Sequence, residues 1–384
     1  MYAEPALESV RPCKVLMTAD TFGGVWVYAL DLIESLANYG VEVVLVTMGE
    51  RLSRSQAAQI ASLHNVRLYE TPYRLEWMND PWRDVDLCGR YLLEIEAHTC
   101  PDVVHINGYA HAALPFEVPV LVVGHSCVYS WFRAVHRCGP GAEWLEYFRA
   151  VRHGLAAADL VTAPTRTMLK WLGEIYGPFR AAEHVYNGRA FTHACRPKEP
   201  LIFSAGRLWD DAKNISALDY VAASLPWPIH IAGEKRHPDG RVADFSNVHM
   251  LGMLSPEEVA SRMSAASIFV LPSRYEPFGL SALEAAICGC ALVLGDIPSL
   301  REVWGEAALY AASDDPDAIT YQIRRLIDDP DLLAFYAAKA ARRAGFFTVE
   351  RMAAGYMRLY GELLKEADSE EALMEQYAGA RSPA

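Results

Sequence analysis

Two glutamates stand eight residues apart in the segment SRYEPFGLSALEA, directly after an apolar run that predicts a buried strand. Glu276 precedes a predicted helix over 280–288, and Glu284 lies within it. Because eight residues are close to two helical turns, both carboxylates could face along one side of the helix. Glu284 has apolar neighbours, where an unpaired carboxylate is costly, so we expect a polar partner there. Sugar hydroxyls suit such carboxylates, and a buried structural ion pair is the alternative. The helix-start amides that suit a phosphate or a sugar hydroxyl belong to Phe278, Gly279 and Leu280.

Two cations follow the first predicted strand of the second half, in the segment SAGRLWDDAKN. Arg207 can donate a fork of hydrogen bonds to phosphate oxygens, and Lys213 supplies a second positive charge near a predicted helix start. A diphosphate in a cleft needs such a pair, because ionised phosphates repel each other and lose their water on binding. The alternative is that both are solvated surface cations.

A Gly-Gly loop, Gly23 and Gly24 within DTFGG, follows the first predicted strand of the chain. Glycines let the backbone approach a ligand closely, and the helix after them offers free N–H groups to an anion. A tight turn without a ligand is the alternative. The loop lacks the third glycine of the dinucleotide fingerprint, which disfavours a nicotinamide-dependent dehydrogenase.

The elements that must position these residues alternate between short apolar runs and amphipathic stretches. Runs such as KVLMTA at 14–19 and VEVVLVT at 41–47 predict buried strands, with helical patterns between most of them. This alternation predicts parallel sheets that are covered by helices on both faces. The rhythm pauses at 187–200, where we place a domain boundary, and then restarts.

We therefore predict an α/β protein with two doubly wound, Rossmann-like domains that face each other across a cleft. Parallel sheets bind ligands at the carboxyl ends of their strands, which places a ligand between the two domains. The predicted parts are a first domain over 1–190, a second domain over 191–348, a closing helix over 349–367 and a loosely held polar tail over 368–384.

Composition and charge exclude several classes of protein. The chain has 384 residues, and 52% of them are hydrophobic, which is typical of a globular protein with two domains. Its net charge of −13 disfavours both a nucleic-acid-binding module and constitutive binding to anionic lipid. The eight cysteines are scattered, and Cys288 and Cys290 lack a second close pair, so neither a disulfide framework nor a zinc site is expected. The sequence shows no signal peptide and no apolar stretch of about 20 residues, which predicts a cytoplasmic protein.

Three Asp-x-Asp strings, a pattern that can bind a divalent metal, occur at 84–86, 315–317 and 329–331. All three fall at predicted helix starts, where acidic residues are favoured as caps and as partners of the helix dipole. We therefore interpret them as structural, and no metal is expected.

These motifs together resemble the retaining nucleotide-sugar glycosyltransferases of family 4, which have the GT-B fold. The resemblance covers nearly the whole chain, and its most specific element is E-x7-E within YEPFGLSALEA. It implies that Glu276 contacts hydroxyls of the donor sugar and that Glu284 holds the nucleotide ribose. It also implies that Arg207 and Lys213 hold the diphosphate, and that His125 of the GHS segment lies near the reacting sugar.

Further parts of the chain fit the same family. The resemblance implies that the first domain, 1–190, binds the acceptor and that the second, 191–348, binds the nucleotide sugar. It also implies that Gly23 and Gly24 approach the donor phosphates or the acceptor, and that the final helix returns to brace the first domain. It implies a pocket for the nucleotide base, formed through backbone contacts, at Gly252, Met253 and Leu254. The family usually keeps the lysine closer to the Gly-Arg pair than the intervening segment 209–212 allows here, but no charged group is lost.

Aromatic and basic residues of the first domain suggest an acceptor site. Aromatic faces suit sugar rings, and cations suit an anionic acceptor. A surface helix with ordinary packing is the alternative, and the same stretch could contact a membrane if the acceptor is a lipid. The candidate residues are Tyr109, His111, Trp131, Arg133 and Arg137.

The function implied by the resemblance is a metal-independent, retaining transfer of a hexosyl group from a nucleotide-diphosphate sugar to an acceptor hydroxyl. The acceptor would be a glycan, a lipid or a small molecule, the nucleotide UDP or GDP, and no other cofactor or nucleic acid would take part. The catalytic residues would be Glu276, His125, Arg207 and Lys213. The alternatives are a nucleotide-sugar 2-epimerase or a phosphorylase on the same fold, and a non-catalytic protein that binds sugar nucleotides.

Overall fold

The structure, a computed structural model, describes residues 11–193, 196–235 and 245–379, with side chains to residue 369. The start of the chain, where no signal peptide is predicted, and Cys195 lie outside these residues. Within the described part of the chain, no helix combines the length and the apolar character needed to cross a membrane.

The first domain is built on a seven-stranded, wholly parallel sheet with strand order β3-β2-β1-β4-β5-β6-β7. The strands are β1 Lys14–Asp20, β2 Glu42–Met48, β3 Val66–Glu70, β4 Val103–Ile106, β5 Val120–Val123, β6 Leu160–Ala163 and β7 Ala182–His184. The helices are α1 Gly23–Leu36, α2 Arg54–Ala61, α3 Trp82–Thr99, α4 Val128–Val135, α5 Leu145–Ala157 and α6 Arg166–Tyr176. The strand order reverses between β1 and β4, and such a reversal opens a crevice at the carboxyl ends of the strands.

The second domain repeats this plan with a six-stranded parallel sheet of order β10-β9-β8-β11-β12-β13. The strands are β8 Glu199–Ala205, β9 Ile229–Ala232, β10 His249–Gly252, β11 Ala266–Leu271, β12 Ala291–Gly295 and β13 Leu309–Ala311. The helices are α7 Ile215–Ala222, α8 Pro256–Ala265, α9 Leu280–Ile287, α10 Pro298–Trp304, α11 Pro316–Asp328 and α12 Pro330–Ala344. Its reversal lies between β8 and β11, so each domain has one crevice.

The last helix, α13 Val349–Gly379, returns to the first domain. Its buried residues Met352, Tyr356 and Tyr360 share one apolar core with Tyr28 and Leu32 of α1. Burial of these apolar side chains stabilises the helix, because an isolated helix is only marginally stable in water. Two doubly wound domains and a closing helix confirm the fold class expected from the sequence.

Some boundaries differ from those expected. The predicted loose tail over 368–384 is helical as far as Gly379, because its Glu, Ala, Leu, Met and Gln residues favour helix despite their polarity. The edge strand β7 was not expected, because three largely polar residues carry no periodic signal. The segment between β7 and β8 spans 185–198, which agrees with a linker near the predicted boundary.

The three Asp-x-Asp strings begin helices, as the sequence predicts. Asp315 caps α11 by accepting a hydrogen bond from the amide of Ala318, and Asp329 caps α12 by accepting one from Leu332. Asp84 lies in the first turn of α3. These carboxylates therefore have a structural role at helix N-termini.

Candidate active site

The two crevices face each other across the cleft between the domains. On the first domain, the Gly-Gly loop leads from β1 into α1, and both glycines are exposed. On the second domain, the loop after β8 carries Arg207 and Lys213, and the loop after β11 carries Glu276. A Cβ added to Gly24 would lie 3.5 Å from Cδ1 of Leu280, so the Gly-Gly loop lies beside the start of α9.

Lys213 and Glu276 form an ion pair in this cleft. The Lys213 Nζ lies 2.5 Å from the Glu276 Oε2, and the two side chains are 16% and 12% exposed. Asn214, in the left-handed conformation at φ 54°, turns the chain into α7 directly after the lysine. Ser299 donates a hydrogen bond to the backbone carbonyl of Glu276, which fixes the position of the loop. The pair brings together two of the four residues expected to be catalytic.

Arg207 stands at the mouth of the same cleft. Its Nη2 donates a hydrogen bond to the buried Asp210 at 3.0 Å, and its side chain remains 46% exposed. The other carboxylate oxygen of Asp210 accepts hydrogen bonds from the amide of Ala212 and from the indole of Trp131. Asp210 therefore orients Arg207 while leaving guanidinium N–H groups accessible to an anion.

Glu284 faces a partner that the sequence did not identify. Arg189 donates from Nε to the Glu284 carboxylate at 2.7 Å and from Nη1 to both oxygens of Asp31 at 3.0 Å. All three side chains are at most 14% exposed. Burial raises the pKa of Glu284 and raises that of Asp31 to about 7, while the Arg189 guanidinium opposes both shifts. One cation thus serves two buried carboxylates, and Arg189 contacts only one of the two oxygens of Glu284.

The linker places Arg189 by close backbone contacts. A Cβ added to Gly188 would lie 2.1 Å from the carbonyl oxygen of Thr348, so only glycine fits there. The Arg189 amide donates to the carbonyl of Phe347 at 3.1 Å. The position of Arg189 therefore depends on tertiary contact with the segment before α13.

The start of α9 supplies backbone rather than side-chain groups. Gly279 precedes the helix at φ 91°, a conformation that favours glycine. The side chain of Phe278 is 2% exposed and packs against Phe347, so only its main chain can reach a ligand. The first amides of the helix remain the groups suited to an anion.

The expected base pocket lies beside the Arg207 loop. Gly252 ends β10 with φ 71°, and its carbonyl accepts a hydrogen bond from the amide of Gly233. A Cβ added to Gly233 would lie 1.8 Å from the carbonyl oxygen of Gly206. The loop after β9 therefore packs closely against the loop after β8. Met253 follows with 69% of its surface exposed, and Leu254 is half-buried beside it.

His125 is held by Asn107. The Nε2 of His125 lies 2.8 Å from Asn107 Oδ1, while the amide nitrogen of Asn107 donates to the carbonyl of Thr18. Burial, aided by His105, lowers the pKa of His125 to about 3, so the ring is neutral. Because Asn107 presents an acceptor, His125 donates from Nε2 and keeps its lone pair on Nδ1.

The structure does not bring the proposed acceptor residues together on an open surface. Tyr109 is buried and donates to the carbonyl of Ser126, and His111 is buried and bonded to the carbonyl of Val85. Both are interior residues, because their polar atoms are needed to satisfy backbone groups.

The other three proposed acceptor residues pair within the protein. Trp131 donates to Asp210 of the second domain, Arg133 pairs with Glu174, and Arg137 pairs with Asp314. Trp131 and Arg137 thus take part in the contact between the domains. Both arginine side chains remain exposed, at 63% and 81%, so a cationic acceptor site at these two residues stays a prediction.

Tyr275 connects the catalytic loop to the first domain. Its ring is 3% exposed and stacks on Trp171 of α6, with centroids 5.6 Å apart. Its hydroxyl lies 2.8 Å from the Ser130 hydroxyl and 3.2 Å from that of Ser126. The residue before Glu276 is therefore anchored beside the loop that carries His125.

The sequence offered a signal for only some of these residues. Asp31 is a charged residue within the apolar pattern of α1, which could have marked it as functional or paired. Arg189 and Tyr275 gave no such signal, because a linker residue and a loop aromatic acquire their roles only through tertiary contact.

The two doubly wound domains, with a cleft between them, define a protein of the GT-B class. Models of two families match the chain: "Glycosyltransferase Family 4" over residues 22–190 and "Glycosyl transferases group 1" over residues 199–329. The chain belongs to the family 4 glycosyltransferases.

Several known proteins are similar to this chain. Glycogen synthase of Mycobacterium tuberculosis is 39% identical over 275 residues, 63% of this chain and 64% of that protein. The GDP-mannose-dependent alpha-(1-6)-phosphatidylinositol dimannoside mannosyltransferase of the same organism is 27% identical over 221 residues, 54% of each chain. The chain thus spans less than two thirds of the length of these relatives. Sucrose-phosphate synthase from Thermosynechococcus elongatus shares the fold, with a TM-score of 0.77, 20% identity, and coverage of 92% of this chain and 99% of that one.

Proposed function

We propose that this protein transfers a hexosyl group from a nucleotide-diphosphate sugar to a hydroxyl of an acceptor, with retention of anomeric configuration and without a metal ion. The observation that carries the proposal is the arrangement of Arg207, Lys213 and Glu276 at the facing crevices. The named activities of the relatives support the same class of reaction.

The cations provide the stabilisation that this reaction needs. Transfer builds positive charge on the anomeric carbon and negative charge on the departing diphosphate. Arg207, Lys213 and the first amides of α9 would stabilise the diphosphate, the role that a divalent metal has in other enzymes. The diphosphate would draw the ammonium of Lys213 partly away from Glu276.

Glu276 and Glu284 would bind the two ends of the donor. Release from part of its ion pair lets the Glu276 carboxylate accept hydrogen bonds from hydroxyls of the sugar. The Glu284 oxygen that Arg189 does not contact would accept hydrogen bonds from the hydroxyls of the ribose. The neutral ring of His125 would adjoin the reacting sugar.

Retention without a covalent intermediate is the route we propose. Glu276 is committed to Lys213 and to sugar hydroxyls, so the departing phosphate oxygen would deprotonate the acceptor on the same face of the sugar. Proton NMR of the first product should show the anomeric configuration of the donor. A covalent glycosyl-enzyme trapped on a carboxylate of the wild type would overturn the front-face route.

A thermal-shift panel tests donor binding. UDP, GDP, ADP and their common sugar conjugates are added in EDTA, since a ligand that binds only the folded state stabilises it by about 2.7 kcal/mol at a hundredfold excess over Kd. We expect one nucleotide class to raise Tm, and Lys213→Met and Glu284→Gln to lose the shift. Lys339→Met, a control on α12, should keep it. A flat panel would favour the non-catalytic alternative.

A further inference from the structure

The crevice of the first domain contains a carboxylate that the proposed donor site does not use. Asp20 ends β1, and Asn107 directly follows β4, so the two residues flank the reversal of strand order. Thr18 holds Asn107 in place. Its hydroxyl accepts a hydrogen bond from the Asn107 backbone amide at 2.9 Å, and its carbonyl accepts one from the Asn107 side chain at 2.7 Å. Crevices of this kind are where open parallel sheets bind ligands.

Asp20 has an oxygen that lacks a partner. Its Oδ1 is shielded from solvent and makes no hydrogen bond with any described residue. Burial raises the pKa of Asp20 to about 7, and the charge of Arg207 from the opposite domain opposes this shift. The carboxyl group therefore lies within electrostatic reach of the diphosphate side of the cleft. Buried carboxylate oxygens normally have partners, so this one points to an absent ligand.

A second carboxylate lies at the same edge of the sheet. Glu76 accepts hydrogen bonds from the amides of Tyr109 and Ala110, at 3.3 and 2.7 Å. Its Oε1 would lie 3.9 Å from a Cβ added to Gly108, which also follows β4. Burial raises the pKa of Glu76 to about 7, as it does that of Asp20. The ionised groups repel a phosphate or carboxylate, and in either protonation state the two groups accept hydrogen bonds from hydroxyl groups.

The apolar wall of this crevice is aromatic. Phe22 follows Asp20 by two residues, and its ring meets that of Trp77 edge to face with centroids 6.3 Å apart. Aromatic side chains beside polar acceptors suit the apolar faces and hydroxyl edges of a sugar ring. Arg133 and Arg137, the cations expected to attract an anionic acceptor, form exposed ion pairs with Glu174 of α6 and with Asp314.

We propose that Asp20 binds the acceptor, accepting a hydrogen bond from one of its hydroxyls, and that the part of the acceptor in this crevice is an uncharged polyol or sugar. This inference rests on the proposed glycosyl transfer and names the acceptor class. In this account the first domain selects hydroxyl groups and the second domain selects phosphate.

The test compares Asp20→Asn and Asp20→Ser with the wild type and with Asp86→Asn, a control at an exposed carboxylate on α3. The acceptors are glucose, mannose, myo-inositol and maltose, each beside a phosphorylated counterpart such as mannose 6-phosphate. The donor is the nucleotide sugar that raises Tm. Three quantities are measured: donor Kd, hydrolysis of the donor without acceptor, and transfer.

We expect the wild type to use at least one neutral acceptor with a kcat/KM at least tenfold above that for its phosphorylated counterpart. Asp20→Ser, which removes the carboxyl group, should lower transfer about 100-fold, and Asp20→Asn, which keeps one acceptor oxygen, about tenfold. Both variants should leave donor Kd and hydrolysis within about twofold. The control should match the wild type. Transfer by Asp20→Ser at the wild-type rate, or use of phosphorylated acceptors alone, would overturn the inference while donor binding persists. A wild type that binds no nucleotide sugar would overturn the proposed function and this inference together.

Discussion

At the scale of single residues, Arg189 is the positive charge between two buried carboxylates, Asp31 and Glu284. A buried pair becomes strongly destabilising when one partner is removed, because the remaining charge has neither water nor a counter-ion. Arg189 belongs to the linker, whereas Asp31 and Glu284 belong to different domains. Its charge therefore couples the expected ribose carboxylate to the first domain.

Replacing Arg189 by Met should lower the free energy of unfolding by about 3 kcal/mol at pH 8. Protonation of Asp31, whose pKa is already raised to about 7, would relieve the uncompensated charge, so the loss should shrink toward pH 5. Denaturant unfolding at both pH values measures the difference. Arg301→Met, which removes a half-exposed ion pair on α10, should cost less than about 1 kcal/mol. An equal loss in the two variants would contradict the coupling.

Asp20→Asn should stabilise the protein while it impairs transfer. The pKa of Asp20 in the folded protein is about 7, above its ordinary value of 3.8, so stability is lost as pH rises between these values. The amide cannot ionise and avoids this loss. We expect a Tm higher by a few degrees at pH 8 and a difference that vanishes near pH 4. A lower Tm at pH 8 would show that the charged form is stabilised.

The candidate site residues that the sequence singles out follow predicted strands. Arg207, Lys213 and Glu276 stand in strand-to-helix loops, and Glu284 lies in the helix that follows one of them, so the periodic pattern around these residues marks their positions. The carboxylate partners are different, because a hydrogen bond between residues 158 positions apart, as between Arg189 and Asp31, leaves no local pattern.

At the scale of elements, the loop between β11 and α9 is braced by α4 and α6. The hydroxyl of Tyr275 contacts Ser126 and Ser130, and its ring lies on Trp171. The backbone of the next residue but one is also held, because Thr165 donates to the carbonyl of Pro277 at 3.0 Å. These contacts fix Glu276 relative to the His125 loop.

Tyr275→Phe should therefore lower kcat for transfer about tenfold and leave the donor Kd within about twofold. The variant keeps the stacked ring and loses only the hydroxyl contacts between the domains, so donor groups on the second domain stay in place. Steady-state kinetics and nucleotide titration measure both quantities. Tyr129→Phe, which removes a hydroxyl bonded at 3.4 Å to the carbonyl of Trp144, is the matched control. A change in donor Kd alone would contradict the positioning role.

Elements with a periodic apolar signal were predicted well, and segments without such a signal were not. Runs such as β1 and β2, with seven residues each, gave clear apolar signals. The three-residue β7 and the extension of α13 lacked them, because pairing with β6 and helix propensity decide those segments.

At the scale of the whole molecule, two similar domains meet through a few side chains beside an accessible cleft. Glu302 of α10 accepts hydrogen bonds from the amides of Arg166 and Thr167 at the start of α6, both at 2.8 Å. A carboxylate at a helix N-terminus is favourable, so this contact orients one domain on the other. The alternating pattern of strands and helices predicted both sheets. It could not predict which residues form the contact between the two domains.

The measurement that tests the account most directly is the rate of nucleoside diphosphate release from a nucleotide sugar in EDTA, with and without acceptor. We expect the acceptor to raise release well above the slow hydrolysis that occurs without it, and we expect release to persist in EDTA. Lys213→Met should lower it about 100-fold, and Lys339→Met should leave it unchanged. Release that requires an added divalent metal, or that Lys213→Met does not slow, would contradict the assignment of Arg207 and Lys213 as the groups that stabilise the departing diphosphate.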